Sequence, residues 1–362
     1  MHSRSGPSTP AGPPVDWVHD PLRIFAIGGG TGLSTLLKGL KQYAHQVGAT
    51  AREPYVDITA MVTVTDDGGS SGRLRREFDM LPPGDVRNCI VALSEDEALL
   101  ARLFQYRFSS GRGLKGHSFG NLFLTALTQI TGDFARAVEL SSAVLAIAGR
   151  IFPSTRQNVA LRARLADGRI VDGETRISRS GSPILRIELN PADVKPSPGI
   201  LDAIARADII TLGPGSLFTS IIPNLLVRGV ARAIQRSPAW KVCILNLMTQ
   251  PGETSGLTAA DHIEAIHYHA RARFLEFAIA NSSPIARPAL ARYVRARASQ
   301  VEIDRARLES LGLNLIELPL VARGDKIRHD PARLAAAVID LALHSRRSRL
   351  IQAAPRRRPA AR

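Results

Sequence analysis

A strand that runs straight into consecutive glycines and then into a leucine-spaced helix leaves few folds open to a chain. Here the β-type run Arg23 to Ile27 leads into Gly28-Gly29-Gly30-Thr31-Gly32, after which Leu33, Leu36, Leu37 and Leu40 recur at helical spacing. A second apolar run, Ile58 to Val64, ends in Thr65-Asp66-Asp67-Gly68-Gly69-Ser70-Ser71-Gly72. The spacing between the two runs suits a right-handed crossover within one parallel sheet. The same logic returns where Ile209 to Leu212 precedes Gly213-Pro214-Gly215-Ser216, and where Val242 to Leu247 precedes Met248-Thr249-Gln250-Pro251-Gly252-Glu253. The expected fold class is therefore α/β with a mostly parallel sheet.

Between these units the pattern changes twice. Ser94 followed by Glu97 reads as a capping box opening a helix to about Phe104, and Phe119 to Ile147 reads as two helices broken near Gly132-Asp133. From about 155 to 192, short alternating runs around the turns Ala166-Asp167-Gly168-Arg169 and Gly181-Ser182-Pro183 read as a small β-rich insertion. A helix over about Thr258 to Phe274, a strand near Leu315 to Leu318 and a helix from about Pro331 to Leu343 complete the core domain, 22–343.

Residues 1–21 are rich in Ser, Gly and Pro and read as a disordered tail. The stretch 344–362 carries Arg346, Arg347, Arg349, Arg356, Arg357, Arg358 and Arg362 against no acid, supplies nearly half of the net charge of +15, and reads as a basic tail. A charge run without interleaved aromatics is weak evidence for nucleic acid, so a solvated tail is the expectation. No apolar run has membrane-spanning length and the start lacks the pattern of a secretion signal, which together lead us to expect a cytoplasmic protein without membrane insertion. Cys89 and Cys243 lie in apolar segments without metal or disulfide spacing and read as buried hydrophobes.

In an open parallel sheet the loops at the carboxyl edges gather where ligands bind. Gly28, Gly29, Gly30, Thr31 and Gly32 would let backbone N–H groups approach a phosphate at a helix amino end, or would merely form a tight turn. They match neither the dinucleotide fingerprint nor a Walker A loop. Gly213, Gly215 and Ser216 offer a second phosphate seat, and Asn246, Thr249 and Gln250 supply amide and hydroxyl groups that could read a base or sugar. Asp66 and Asp67 are neighbours at a strand end and so point in different directions. Either could accept a ribose hydroxyl, hold Mg²⁺, take a proton, or simply cap a turn. Pro82-Pro83-Gly84-Asp85-Val86-Arg87-Asn88 reads as a polar loop in which Arg87 pairs with a phosphate or a carboxylate. His117, Ser118 and Asn121 stand where a helix opens, as caps or as anion contacts. His262, His267 and His269 lack a zinc-binding pattern.

Taken in order, Gly28 to Gly32, Thr65 to Gly72, Pro82 to Asn88, Gly116-His117-Ser118-Phe119-Gly120-Asn121, Leu212 to Ser216 and Asn246 to Thr254 resemble the YvcK family of bacterial gluconeogenesis factors, in the CofD-like superfamily. The resemblance covers roughly 22–340. It implies a Rossmann-like three-layer α/β/α fold and a nucleotide-sugar ligand of the UDP-GlcNAc type. It further implies a regulatory role in cell shape, peptidoglycan precursor supply and gluconeogenic growth, exerted on a protein target. The ligand residues it suggests are Gly29, Gly30, Thr31, Gly213 and Ser216 around phosphates, with Asp66, Asn88 and Asn121 around ribose or sugar. The superfamily's transferases move a phospholactyl group from a nucleotide diphosphate to a hydroxyl. By that resemblance Asp66 and Asp67 would be the catalytic acids, with Asp66 on Mg²⁺. The stretch Asp85 to Ser94 departs from the acidic, tyrosine-containing segment of that transferase branch, which favours the regulatory one. NAD as a bound ligand without redox chemistry, and a homo-oligomer, stay open.

Overall fold

The computed structural model describes residues 20–44, 55–95, 99–324 and 326–353. Among the described residues ten strands are formed: β1 (Leu22–Gly28), β2 (Val56–Val62), β3 (Arg150–Pro153), β4 (Ala160–Leu165), β5 (Ile170–Asp172), β6 (Ile184–Asn190), β7 (Ile209–Leu212), β8 (Trp240–Ile244), β9 (Phe277–Asn281) and β10 (Asn314–Leu318). Seven of them make one parallel sheet in the order β10-β9-β8-β7-β1-β2-β3. The chain moves outward from β1 to β3, returns to pair β7 with the other side of β1, and moves outward again. The switch point therefore lies between β1 and β7, where the following loops diverge to opposite faces and leave a crevice.

The continuous apolar strands fit this place. Leu22, Ile24, Phe25, Ala26 and Ile27 are all buried, as a parallel strand covered on both faces requires. The helices Gly30–Leu40, Gly84–Leu93 and Pro331–Ala353 pack together on one side, and Ile200–Arg206, Ile222–Leu226, Val230–Arg236 and Ala259–Ala270 form the other group. Leu33, Leu36, Leu37 and Leu40, spaced for a single face, are all fully buried. The β-rich insertion is a separate antiparallel sheet in the order β5-β4-β6, with a short helix, Glu174–Ser178, between β5 and β6. Among the described residues no single helix is long and apolar enough to cross a membrane.

Three local expectations change. Gly84–Leu93 is a helix, so Asp85, Arg87 and Asn88 project from its opening turns and not from a loop. Pro82 and Pro83 explain this, because a proline just before or inside the first turn gives up no needed N–H. Ser94 does not open a helix. Its N–H donates to the Ile90 carbonyl as Gly84–Leu93 ends, and Lys41 Nζ donates to the Ser94 carbonyl at 3.0 Å. Glu97, the other half of the expected capping box, lies outside the described residues, and the next helix spans Leu99–Gln105.

The final helix runs through Ala353, ten residues past Leu343, where it was expected to give way to a basic tail. The reason is ionic. Asp208, almost wholly buried beside β7, accepts from both Arg346 and Arg349, and Arg346 also donates to the Asp20 and Pro21 carbonyls. Two of the arginines expected in a solvated tail thus fasten the last helix to the start of β1. Truncation after Leu343 would leave Asp208 buried without its cations. Removing one side of a buried ion pair costs about 3–5 kcal/mol, and a comparable loss of unfolding free energy should appear in urea titrations of the truncated protein. An unchanged midpoint would show that this ionic clasp contributes nothing.

Candidate functional site

At the switch point two backbones almost touch. A Cβ placed on Gly32 would fall 2.3 Å from the Pro214 carbonyl oxygen, so only glycine lets the loop after β1 meet the loop after β7. Gly29 is equally confined, by the Asp85 carboxylate, Thr63 and Ser220. Gly30 opens the helix at φ +56°, and the residue before it, Gly29, has no side chain with which to cap that amino end. The N–H groups of Thr31 and Gly32 in the first turn consequently have no intrahelical acceptor. Ser34 donates to the Thr31 carbonyl of its own helix at 3.0 Å.

Above these amides is a cavity of about 400 Å³. Gly29, Gly30, Thr31 and Gly32 form one wall, and Pro214, Gly215, Ser216 and Ser220 another. Asn246 closes the end: its amide accepts from the Gly215 N–H at 3.2 Å and donates to the Gly215 carbonyl at 2.8 Å. Gln250 donates to Ser216 Oγ at 2.7 Å while its own Oε1 stays buried without a partner. The roof comes from far along the chain. Tyr293, Ile327, Arg328 and His329 line it, and the Ile327 N–H donates to the Tyr293 hydroxyl at 3.3 Å. Leu247, Met248, Ile285, Ala298 and Ile327 form a small apolar cluster that holds this roof. Arg328 is the one Arg, Lys, Asp or Glu among the described residues lining the cavity, and burial pushes His329 down to about 4.

Beneath the glycine loop lies the opposite charge. Asp85 accepts from the Gly30 N–H, and burial, followed by the neighbouring Asp66, pushes its carboxyl up to about 7. Asp66 accepts from the Gly68 N–H at 2.8 Å, and burial raises its carboxyl as well. Glu174, from the insertion, is raised to about 9 by burial and by the charges of Asp66, Asp85 and Glu253. Glu253 accepts from Ser178 and Thr219, each at 3.2 Å. Asp67 points elsewhere, as adjacent strand-end residues must. Its Oδ1 accepts from the Thr175 N–H and hydroxyl, at 2.9 and 2.6 Å, and so fastens the insertion's helix to the sheet edge.

Arg87, Asn88, His117, Ser118 and Asn121 converge on one another rather than on the cavity. Arg87 donates to Ser118, to Asn121 Oδ1 at 3.0 Å and to Asn88 Oδ1 at 2.7 Å, while its Nε is buried without a partner. Ser70 Oγ accepts from the Asn121 amide at 3.1 Å and lies 3.0 Å from His117 Nδ1. Ser118 also caps its helix by accepting from the Asn121 N–H. Burial, then the neighbouring Arg107, lowers the Arg87 guanidinium, and Asp85 and Asp66 act on it in the other direction.

Of the candidate ligand residues, Gly29, Gly30, Thr31, Gly32, Gly215, Ser216, Asn246 and Gln250 share the cavity. Gly28 ends β1, and Gly213, at φ +87°, turns the chain against the Ile244 carbonyl. Thr249 is buried and pairs with Ser299. The residue types gave no notice of Tyr293, Arg328 or Glu174, which lie outside every glycine-rich loop. Asp85 was visible only as one polar residue in a presumed loop. Among the described residues no three His, Cys, Asp or Glu side chains are grouped to hold a metal ion. Asp66 and Asp85 still fit the mode in which one or two carboxylates and substrate phosphates complete the shell of Mg²⁺.

The arrangement is that of a doubly wound α/β protein with free helix amides at its switch point. A family model described as 2-phospho-L-lactate transferase CofD matches residues 24–321, and the chain belongs to this CofD family, in its YvcK, or gluconeogenesis factor, branch. It is similar to proteins named gluconeogenesis factor from Bacillus subtilis (46% identical over 88% of this chain and 98% of that one) and Halalkalibacterium halodurans (46%, over 88% and 95%). A crystal structure of a Bacillus halodurans protein, at 46% identity, superposes with a TM-score of 0.84 over 88% of this chain and 100% of that one.

The native state holds the Asp85 proton to a higher pH than the unfolded chain does. The native state therefore binds more protons between about 4 and about 7, and this carboxyl's contribution to stability falls as pH rises through that window. Asp85→Asn, which keeps an oxygen for the Gly30 N–H, should leave stability near pH 4 unchanged and raise it progressively to pH 7, with a level gain above. Urea midpoints across pH 4–8 test this, and a pH-independent difference would refute the assignment.

Proposed function

We propose that the chain is a gluconeogenesis factor that acts by binding a nucleoside diphosphate sugar, of the UDP-N-acetylglucosamine type, in the switch-point cavity. The carrying observation is the composition of that cavity. It combines free amides at a helix amino end, one arginine, no carboxylate in its lining, and neutral amide groups at its far end. Free amides and Arg328 suit a diphosphate, since backbone N–H groups at a helix start favour negative charge. Tyr293 in the roof suits a flat base, and Asn246, Gln250 and Ser216 suit groups that both donate and accept. At about 400 Å³ the cavity is in the usual range for a small ligand. In this reading the protein works as a cytoplasmic regulator of cell shape, peptidoglycan precursor supply and gluconeogenic growth, and ligand occupancy alters a surface met by a protein target.

A second reading rests on the carboxylates below the loop. Asp66 and Asp85 would hold Mg²⁺ next to the phosphates of a nucleotide, and the ion would there offset charge on phosphoryl oxygens. The chain would then be a CofD-type transferase, with Asp66 positioned to accept a proton from an attacking hydroxyl. Asp67 is less suited to this, as both Thr175 donors occupy its carboxylate.

Isothermal titration with UDP-N-acetylglucosamine at fixed salt, with Mg²⁺ present, decides between them. Saturable binding near micromolar, about −8 kcal/mol, is expected, with a loss of about tenfold or more in Arg328→Ala and in Tyr293→Ala. Absence of saturation in the wild-type protein, together with Mg²⁺-dependent turnover of a nucleotide-activated phosphoacid that Asp66→Ala abolishes, would establish the transferase instead. NAD, titrated in parallel, should not compete for the site.

A further inference from the structure

A second cavity, of about 610 Å³, lies on the other side of the loop after β8. Met248 and Gln250 of that loop face the switch-point cavity, whereas Pro251, Gly252 and Glu253 face this one. Its remaining walls come from the insertion, around Ile184 and Leu185, and from the helix Ala259–Ala270, through Ala265 and Tyr268. We propose that this cavity is a binding site for a small amphiphilic molecule with a ring body, a hydrogen-bond donor at its inner end and an anionic group at its outer end.

Each part of that description follows from a wall. The middle is apolar, formed by Ile184, Leu185, Phe218 and the Tyr268 ring, which suits a flat hydrophobic body. At the inner end Glu253 accepts from Ser178 and Thr219, and a carboxylate has acceptor capacity for further donors. A ligand N–H or O–H meets that capacity. At the mouth the charges divide unequally. Asp261 and Glu264 are taken up by Arg307, at 2.7 and 2.6 Å, whereas Arg179 and Arg297 pair with no carboxylate among the described residues. Arg307 is shared with Asp304 as well, so the charges there are close to balanced in number, but the Arg179 and Arg297 guanidiniums are the ones left without a carboxylate, and an anionic group on the ligand pairs with them. His269 offers the ligand no hydrogen bond, because its Nδ1 serves the Ala265 carbonyl and its Nε2 accepts from the Ile187 N–H.

The walls are also held in place without a ligand. A Cβ on Gly252 would fall 1.9 Å from the Ser178 carbonyl, so the loop after β8 and the insertion's helix meet backbone to backbone. The cavity is therefore a product of the insertion docking on the main sheet, and the volume is in the range that buries a drug-sized ligand. It owes nothing to the reading of the first cavity, and its test is independent of nucleotide binding.

The probe is 8-anilinonaphthalene-1-sulfonate, which carries an N–H donor, a fused ring and a sulfonate. Fluorescence titration of the full chain should show one saturable site. Leu185→Asp, at an exposed position of the apolar wall, should weaken it about tenfold or more, and Arg179→Glu should weaken it severalfold. Arg328→Ala, in the other cavity, should leave it unchanged. Circular dichroism melts establish that each variant is folded, and Arg179→Glu alone carries the test should Leu185→Asp fail to fold. No saturable signal, full affinity in the folded variants, or loss of binding in Arg328→Ala would each overturn the proposal.

Discussion

The closest approach in the site, Gly32 against the Pro214 carbonyl, determines how the rest of it can be built. It brings the loops after β1 and β7 together at the point where the sheet reverses its direction of growth. With the loops in contact, the first-turn amides of Gly30–Leu40 line a cavity between them. A methyl group at this position would separate two backbones, and backbone cannot yield as the end of a flexible side chain can. Overpacking of that kind costs about 1–3 kcal/mol in well-packed interiors. The same rule applies once more nearby, at Gly252 against the Ser178 carbonyl, whereas Gly29 is confined by side chains, the Asp85 carboxylate first.

Charge in the region is sorted by depth. The cavity lining has Arg328 and unpaired amides, whereas the carboxylates Asp66, Asp85, Glu174 and Glu253 lie below and beside it. Placing four acids together away from bulk water favours their neutral forms, so part of the negative charge is removed by retained protons instead of by counterions. That lessens repulsion toward a phosphate above the loop. A cation arriving with a phosphate ligand would be held by these acids only as their protons leave to water. Arg87, held by Ser118, Asn121 and Asn88, supplies the nearest fixed positive charge on the opposite flank.

Much of this was legible in the chain. Buried parallel strands, the glycine loops that end them and the leucine face of Gly30–Leu40 follow from spacing alone, and so do the hairpin at Ala166 to Arg169 and the division of the helices at Gly132-Asp133. What failed did so for identifiable reasons. Pro82-Pro83-Gly84 reads as a turn, yet proline equally starts a helix, and only packing against Gly30–Leu40 decides between the two. The basic run after His344 has the composition of a solvated tail until Asp208, far away in sequence, supplies a buried partner. Tyr293 and Arg328 reach the cavity because an apolar cluster of five scattered residues folds their segments over it, and no periodicity encodes such a contact.

The loop Met248–Glu253 joins these observations. Its early residues, with Gln250 bonded to Ser216, wall the switch-point cavity. Its last, Glu253, is held by Ser178 of the insertion and Thr219 of the turn after β7. That turn, Leu217–Ile221, is a single π-turn leading into the helix Ile222–Leu226, a local geometry that is frequent at functional sites. Ser216 and Ser220 of the same segment face one cavity while Phe218 faces the other. The two cavities thus share two short walls, each clamped at both ends by hydrogen bonds and by a glycine contact that leaves no slack. The β-rich insertion, which plays no part in the main sheet, is attached to this shared wall through Ser178, which bonds Glu253 and abuts Gly252, and separately to the end of β2 through Thr175 on Asp67.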